Sequence, residues 1–464
     1  MAAGVFAPGH LGELTRHVPF ELVDAVLAET GATEQRLRDL PSRVGVYFVL
    51  ALSLFPQLGY RRVWDKLIAG LGELPVPVPT SKALRDLRAR IGIAPLKALF
   101  ETVAGPVAQP HTPGVRFGRY RTVAFDGCSS TKVPDTEVNA SWLGKLNASR
   151  GETGYPAVKL MALVETGTRA LLGAVIGPAA TGETEYAGRL LDLLDERMLV
   201  LADRGFDSGP FLAELAATKA AFLVRLRNNR RLPVMARLDD GSFQTRIGEL
   251  AVRIIDADII VNCADGTSYA ATYRLATTLL DSRRHPAASL ITLYHERWEH
   301  EIAYLALRHT LAQHQVLRSA TPVGIEQEMW AQLTVYQLLR RAMVDAVEST
   351  SGIDPDRASF TTAVQAAIDS IITASNVTSD DDTVDLVGDI GRAVVATLLG
   401  PRRPRISARK VKSPLSKYSG RRTNKDHPLP GRSTKITALT IATGTPDAPN
   451  TTRQAKSLTT ATGP

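Results

Sequence analysis

A series of apolar runs of strand length between residues 116 and 230 constrains the fold of this chain more than any other feature. The first three runs follow one another, whereas each of the last two comes after a segment whose apolar residues have helical spacing. Short β-branched runs predict strands, and amphipathic segments between them predict helices that cover a sheet. The order β-β-β-α-β-α-β therefore predicts an α/β core with a mixed sheet. The predicted strands are Thr122–Phe125, Val158–Val164, Ala170–Ile176, Met198–Ala202 and Ala221–Val224, and the predicted helices cover about Glu183–Leu194 and Gly209–Ala217.

The segments around these runs predict how the chain is organised. Residues 1–115 have helical periodicity, which predicts an N-terminal all-helical domain. The order of elements in residues 116–346 is that of a ribonuclease H-like core, and a β-rich insertion interrupts it at about 231–285. Residues 347–400 predict further C-terminal helices. The expected fold class is thus α/β, with a ribonuclease H-like mixed-sheet core between helical segments.

The C-terminal segment, residues 401–464, carries the excess of positive over negative charge in this chain. The chain has a net charge of +8, and residues 401–435 alone contain 12 Lys and Arg against one acid, Asp426. Proline, glycine, serine, threonine and charged residues dominate the segment, which predicts disorder. A basic tail favours a polyanionic partner such as nucleic acid, or it is a solvated extension that aids solubility.

Cysteine usage and hydropathy indicate the compartment. The 2 cysteines, Cys128 and Cys263, cannot build a disulfide framework, which suits a reducing cytoplasm. The longest largely apolar stretch, Val44–Phe55, is too short to span a bilayer. The N-terminus also lacks the pattern of a signal peptide. We therefore expect a cytoplasmic protein with no membrane partner.

Two aspartates, Asp126 and Asp203, each come at the end of an apolar run. Gly127 follows the first directly, and Gly205 follows the second after one residue. An aspartate in such a position is often only a cap or turn residue, but a neighbouring glycine lets the backbone pass close to a ligand. With a third carboxylate, the pair predicts a two-metal phosphoryl-transfer site. Two divalent ions about 3.5–4 Å apart need carboxylates from different elements.

Glu301 is the candidate third carboxylate, and it lies in a segment that predicts one helix. At about 100° per residue, Tyr294, Arg297, Glu301 and Arg308 fall within roughly 60° of one another on a helical wheel. One face would carry a phenol, two guanidinium groups and a carboxylate. The alternative is an ordinary ion-paired helix face. Trp298 is a candidate for stacking on a base, or else a core residue of the same helix.

A second set of possible DNA contacts lies in the N-terminal segment. Thr80 is a predicted N-cap, and the helix that follows, about Ser81–Arg90, carries outward-facing Lys82, Arg85 and Arg88. A basic helix after a turn is compatible with DNA contact. The alternative is a packing helix with ordinary surface arginines.

Three motifs, taken together, resemble a known family. The string Tyr294-x-x-Arg297-x-x-x-Glu301, with a basic residue at 308, resembles the signature of the insertion-element-four class of bacterial DDE transposases. Val123–Gly127 and Leu201–Phe206 resemble the first and second acidic motifs of that class. The resemblance extends over about residues 10–345 and includes the N-terminal helical segment. The last basic position of the family is usually lysine, and here it is Arg308, which keeps the charge but has another shape.

The resemblance implies a cut-and-paste DNA transposase. Asp126, Asp203 and Glu301 would hold two Mg²⁺ ions, which Mn²⁺ can replace, and Tyr294, Arg297 and Arg308 would bind DNA phosphates. The enzyme would excise an insertion element at its terminal inverted repeats and join the 3′-hydroxyl ends to target DNA. Its partners would be double-stranded DNA and, in the synaptic complex, a second copy in a homodimer. Its place would be the bacterial cytoplasm, in association with the nucleoid.

Two alternatives share these residues. A ribonuclease H-like DNA nuclease would use the same carboxylates but would never join a 3′-hydroxyl end to a target. An inactive DNA-binding remnant of a transposase would bind the same ends without cutting. The presence of all three carboxylates favours an active, metal-dependent enzyme.

Overall fold

The computed structural model describes most of the chain. It describes residues 9–34, 36, 38–72, 74–145, 147–148, 151–152, 154–227, 229–263, 268–350, 352–374, 387–400 and 436–443. For residues 130, 147–148, 151–152, 259–263, 268–271, 298–300 and 436–443, only the backbone is described. These residues belong to two compact units. One contains the chain up to Leu226 and from Thr292 to Gly400, and the other contains Arg227–Ile291 and Ile436–Thr443.

The N-terminal part of the first unit is helical, as its periodicity predicts. Its helices are α1 Phe20–Glu29, α2 Ser42–Leu54, α3 Tyr60–Ile68, α4 Ser81–Ile91 and α5 Ala94–Val103. Helix α2 is apolar almost throughout and is buried along nearly its whole length. The predicted cap of α4 is confirmed, because the side chain of Thr80 accepts a hydrogen bond from the Ala83 backbone N–H.

The first unit also contains a mixed sheet with helices between its strands. Its elements are β1 Arg116–Phe117, β2 Tyr120–Lys132, α6 Glu137–Leu143, β3 Asn147–Ala148, β4 Gly151–Glu152, β5 Ala157–Glu165, β6 Leu171–Gly177, α7 Glu183–Gly188, β7 Met198–Ala202, α8 Gly209–Ala217 and β8 Ala221–Arg225. Strand β5 is buried at every position, and β7 at all but its first, which explains their continuous apolar runs.

The strands lie in the order β6-β5-β2-β7-β8. Strand β2 pairs antiparallel with β5 and parallel with β7. Strand β5 also pairs antiparallel with β6, and β7 pairs parallel with β8. Three antiparallel strands continued by two parallel ones are what the order of elements predicts, so the ribonuclease H-like core is confirmed.

The second unit is the β-rich insertion. Its elements are β9 Ala236–Arg237, β10 Phe243–Ile247, β11 Leu250–Cys263 and β12 Ser268–Thr277. Strand β11 runs through the acidic residue Asp256 without a break. Asp256 lies opposite Arg274 of β12, and the Arg274 Nε donates to Asp256 Oδ1 at 2.7 Å. This cross-strand ion pair lets an acidic residue stay inside the strand.

Part of the tail also belongs to the second unit. The prediction of disorder is wrong for Ile436–Thr443, which forms strand β13 and pairs antiparallel with β11, with Val261 opposite Leu439. The sequence Ile-Thr-Ala-Leu-Thr-Ile-Ala-Thr has no charge, proline or glycine and is rich in β-branched residues, which favours a strand. The composition of residues 401–464 as a whole conceals this short segment, and their other residues lie outside the described chain.

The C-terminal part of the first unit is helical. It contains α9 Ala287–Tyr294, which begins in the second unit, then α10 Glu299–Leu305, α11 Pro322–Glu348, α12 Phe360–Ile372 and α13 Gly388–Ala396. Helix α11 packs against α2, α5, α12 and α13, and its sides are buried nearly all round. One hydrophobic core includes residues of the N-terminal helices, of β5 and of these C-terminal helices. The expected boundaries near residues 115 and 346 therefore do not separate compact units.

In the described part of the chain, no helix is both long enough and apolar enough to cross a membrane.

Candidate active site

Asp126 and Asp203 occupy matching positions on neighbouring parallel strands. In the register of β2 and β7, Ala124 lies opposite Leu201, and each aspartate is two residues further along. Side chains alternate across a strand, so both carboxylates leave the sheet on the face of that residue pair. The prediction that Asp126 ends its strand is wrong, because β2 continues to Lys132. The pairing of β2 with β7 ends at Ala124, whereas its pairing with β5 continues to Lys132. Asp126 therefore lies just beyond the end of the β2–β7 ladder.

The backbone beside each aspartate is tied to the segment that carries Glu301. Tyr304 Oη donates to the Asp126 carbonyl oxygen at 2.6 Å. Tyr294 Oη donates at 3.2 Å to the carbonyl oxygen of Ala202, the residue before Asp203. Two phenols on either side of Glu301 thus anchor its helical segment to both strands.

The segment around Glu301 is not the single α-helix that the sequence predicts. Helix α9 is followed by a 3-10 turn, His295–Trp298, then by α10, and then by a π-helical turn, Ala306–Leu311. The prediction that Tyr294 and Arg308 share one helix face assumed a regular rotation of about 100° per residue, and that rotation is interrupted between them. The side chains diverge accordingly. Tyr294 reaches Ala202, whereas the Arg308 Nη2 lies 2.8 Å from His309 Nε2.

Electrostatic interactions couple the three carboxylates to one another and to Arg297. Burial is the largest cause that raises the pKa of Asp126, to about 7. The positive charge of Arg297 opposes this shift, while the negative charges of Asp203 and Glu301 add to it. The same acids act on Arg297. Burial works against its charge, yet the negative groups around it raise its pKa above the ordinary value. A guanidinium therefore stands among three acids contributed by three different elements.

The other predicted contacts have different outcomes. Tyr294 is only 4 % exposed and its hydroxyl is used within the protein, so the structure corrects its assignment from phosphate binding to positioning. Lys82 and Arg85 are exposed on α4, as predicted. The prediction for Arg88 is wrong. It is 4 % exposed and forms an ion pair with Glu328 of α11 at 3.3 Å. The side chain of Trp298 lies outside the described residues.

Arg88 was misassigned because helical periodicity does not show that a charged position has a buried partner. Its guanidinium also donates to Ser319 Oγ at 3.1 Å and to the Gly324 carbonyl oxygen at 3.0 Å. Buried arginines need such a set of acceptors. All of these partners lie more than 200 residues further along the chain, so no local pattern could reveal them.

Glu183 is a fourth acid at the site that the sequence reading missed. It is the first residue of α7. Its carboxylate lies close to Gly127, which follows Asp126, and to Gly205, which lies two residues after Asp203. A Cβ built on Gly127 would lie 2.9 Å from Glu183 Oε1, and one built on Gly205 would lie 3.1 Å from Glu183 Oε2. Burial raises the pKa of Glu183, and the charge of Asp203 raises it further. The two glycines were the available signal in the sequence, since a glycine beside each aspartate indicates that another group packs closely against the backbone there.

The donor set fits divalent cations of the Mg²⁺ class. Oxygen ligands from carboxylates are what Mg²⁺ and Mn²⁺ prefer. Burial raises the pKa of Asp126, and the charges of Asp203 and Glu301 add to this shift, a repulsion that a divalent cation would relieve. As the side chains stand, no three His, Cys, Asp or Glu residues in the described chain are close enough together to enclose an ion. Arg297 supplies the positive charge among them.

Comparisons with known proteins match the chain to transposases. Residues 8–101 match the family described as insertion element 4 transposase N-terminal, and residues 118–338 match the transposase DDE domain. The chain is 25 % identical over 420 residues to the transposase InsG for insertion sequence element IS4 of Escherichia coli (strain K12), across 86 % of this chain and 91 % of that protein. It is 26 % identical over 200 residues to the putative transposase InsZ of the same organism, across 43 % of this chain and 65 % of that protein.

A solved structure also aligns with most of the chain. It is the cryo-EM structure of a piggyBac transposase synaptic complex with hairpin DNA, and the alignment covers 88 % of this chain and 89 % of that one. The two are 11 % identical with a TM-score of 0.39, a likeness too weak to establish a shared fold.

Proposed function

Because the chain belongs to the insertion-element-four family of DDE transposases, we propose that it excises an insertion element at its terminal inverted repeats and joins the 3′-hydroxyl ends to target DNA. The reaction would be two-metal phosphoryl transfer on double-stranded DNA. The observation that supports this most is the register of β2 and β7, which gives Asp126 and Asp203 equivalent positions on adjacent strands.

Asp126, Asp203 and Glu301 are the residues that would hold two Mg²⁺ ions, with Mn²⁺ able to replace them. When bound, such ions lower the pKa of an attacking water or 3′-hydroxyl and stabilise the leaving oxygen. The protein contributes rigid positioning. Tyr304 and Tyr294 hold the backbone at the two aspartates, and the fixed geometry saves reorganisation during each step.

Arg297 and Arg308 are the proposed phosphate contacts near the break. Arg297 is held among the acids, where its charge compensates theirs until ions and DNA arrive. A guanidinium can then bind a phosphate through two hydrogen bonds. Arg308 lies in the π-helical turn beside His309 and is partly exposed, so its guanidinium could contact a phosphate on that side.

Other surfaces would add affinity for DNA. Lys82 and Arg85 are exposed on α4 and remain candidates for contacts with the inverted repeat. The basic residues of 401–435 would attract DNA without regard to sequence. We further propose that two copies pair the element ends as a homodimer, and that the protein acts at the nucleoid in the bacterial cytoplasm.

A strand-transfer assay separates this function from its rivals. The chain would be incubated with a labelled duplex that carries the inverted repeats flanking its gene, a supercoiled plasmid as target, and either Mg²⁺ or EDTA. The proposal predicts label joined covalently to the plasmid, with Mg²⁺ only. Cut duplex without joined product would favour a nuclease, and binding without cutting would favour an inactive remnant.

A further inference from the structure

The loop that leads into α7 is held in place by buried side chains. The Lys159 Nζ donates to the Thr181 carbonyl oxygen at 2.6 Å, and Lys159 is 9 % exposed. Tyr186 is 1 % exposed, and its Oη donates to the Pro178 carbonyl oxygen at 3.0 Å. These bonds fix the chain on either side of Glu183. The position of its carboxylate is therefore a built feature of the fold.

The backbone that follows each aspartate passes close to the Glu183 carboxylate. Gly127 directly follows Asp126, and Gly205 lies two residues after Asp203. A side chain at Gly127 would collide with Oε1 of Glu183, and one at Gly205 would crowd Oε2. Neither glycine has a positive φ, so backbone conformation does not require glycine at either position. At Gly127 the structure requires space for the Glu183 carboxylate. At Gly205 an added Cβ would lie 2.9 Å from Asp203 Oδ1 as well as 3.1 Å from Glu183 Oε2, so that glycine makes room for both carboxylates.

The negative charge of Glu183 is favoured by the N-terminus of α7 and by Lys159, and it is opposed by burial and by Asp203. Among the described residues, the Glu183 carboxylate accepts no hydrogen bond, and its charged neighbours are Asp203, which repels it, and Lys159. Removing a carboxylate from water beside another carboxylate costs stability. A glutamine would fill the same space without that repulsion, so packing alone does not explain an acid here.

We propose that Glu183 is a fourth carboxylate of the metal site, which helps to hold the divalent cation bound by Asp126 and Asp203. The inference rests on the proposed function and deepens it, because it adds a ligand group that the three-acid pattern omits. The ion is a hard divalent cation of the Mg²⁺ or Mn²⁺ type, since every group offered to it is a carboxylate oxygen.

Binding of Mn²⁺ alone tests this proposal without DNA cleavage. The full-length chain would be titrated with Mn²⁺, and the free ion followed by electron paramagnetic resonance. Glu183→Gln should weaken binding about tenfold, a typical effect of removing a supporting group at a metal site. Glu185→Gln is the matched control. Glu185 is on the same helix, but its side chain is 63 % exposed and paired with Arg189 at 2.8 Å. It should change affinity by less than about twofold.

Two further readouts separate metal binding from a structural role. The Mg²⁺ concentration that gives half-maximal cleavage should rise about tenfold in Glu183→Gln, in proportion to the lost affinity. The melting temperature in EDTA should stay about the same, because the substitution removes the repulsion from Asp203 together with the attraction to Lys159. If Glu183→Gln fails to fold, Glu183→Asp keeps the charge, shortens the side chain and should still weaken Mn²⁺ binding.

The outcomes distinguish the inference from the function on which it rests. Unchanged Mn²⁺ affinity in Glu183→Gln, or in Glu183→Asp, would overturn the inference. If Asp126→Asn still abolished binding and cleavage in that experiment, the proposed function would stand. If Asp126→Asn bound Mn²⁺ and cleaved DNA as the wild type does, the proposed function itself would fail.

Discussion

At the scale of single residues, the site is built from pairs that only the folded chain brings together. Asp126 and Asp203 could be recognised from the sequence, because each is preceded by an apolar run and followed closely by glycine. The hydrogen bonds and close contacts that hold the backbone at these aspartates could not be predicted from the sequence. The hydroxyl of Tyr304 lies 178 positions along the chain from the carbonyl that it reaches, and Glu183 approaches both glycines from another element. Contacts of this range leave no local pattern.

Tyr304→Phe tests the tether at Asp126. Losing the hydroxyl leaves a carbonyl oxygen short of a donor, which costs roughly 1–3 kcal/mol of stability. Because Asp126 loses its support, the single-turnover cleavage rate should fall about tenfold or more, with DNA binding unchanged. Tyr336→Phe is the control. Its hydroxyl makes the same kind of bond to the Arg169 carbonyl oxygen at 2.9 Å. Equal effects of both variants on the rate would contradict a positioning role for Tyr304.

We expect His295 to make the folding stability of the protein depend on pH in the acid range. Burial, and then the charge of Arg297, lower its pKa to about 4 from an ordinary value of 6.5. Between these values the unfolded chain binds the proton more readily, so stability is present above pH 6.5 and is lost as the pH falls towards 4. At pH 5 the loss is about 2 kcal/mol. Urea denaturation at pH 7.5 and pH 5 should therefore show a smaller acid loss in His295→Gln. An identical loss in both proteins would show that His295 titrates normally.

At the scale of elements, periodicity predicted where helices and strands lie better than what their faces contact. The core strands and α8 are found where the apolar runs place them, because burial on both faces leaves a strong signal. The segment around Glu301 departs from its prediction, since no residue in it signals a 3-10 turn followed by a π-helical turn. Tertiary tethers at Tyr294 and Tyr304 fix that geometry instead.

Helix α4 allows a direct comparison of a buried arginine with an exposed one. Arg88→Leu leaves Glu328 without its cation in the interior, which should cost about 3–5 kcal/mol. Arg85→Leu changes a surface position and should alter stability by less than about 0.5 kcal/mol. Chemical denaturation measures both. DNA binding gives the complementary result, because only Arg85 faces solvent and can lose a phosphate contact. A stable Arg88→Leu protein with weakened DNA binding would restore the original prediction.

At the scale of the whole molecule, three short motifs predicted a resemblance to the insertion-element-four transposases over about residues 10–345. The family matches confirm it over nearly that length. The family matches cover residues 8–101 and 118–338. The grouping of the chain was harder to predict. Helix α11 packs against α2 and α5, so the N-terminal helices share a core with the C-terminal ones rather than forming a separate unit. A linear sequence cannot show that a helix from one end completes a core begun at the other.

At this scale we also predict an effect of the total charge of the basic segment 401–435 on DNA binding. Replacing its lysines and arginines with glutamine and serine, while keeping the strand Ile436–Thr443, should weaken binding to unrelated duplex DNA. Fewer counterions would be released, so the slope of log affinity against log salt concentration should become shallower. Fluorescence anisotropy at several salt concentrations measures this slope. A variant with the same lysines and arginines in shuffled order should keep it. An unchanged slope in the neutralised protein would mean that the segment only aids solubility.

The most direct test of the account is metal-dependent cleavage of the inverted repeat by carboxylate variants. Wild type, Asp126→Asn, Asp203→Asn, Glu301→Gln and the control Glu296→Gln would be compared with Mg²⁺ and with EDTA, with DNA binding measured in parallel. Each of the first three substitutions should lower cleavage by about 10³-fold or more, since each removes a group that holds the ions, while binding persists. Glu296→Gln should cleave normally. Cleavage that survives any of the three substitutions unchanged would contradict the assignment of that carboxylate to the site.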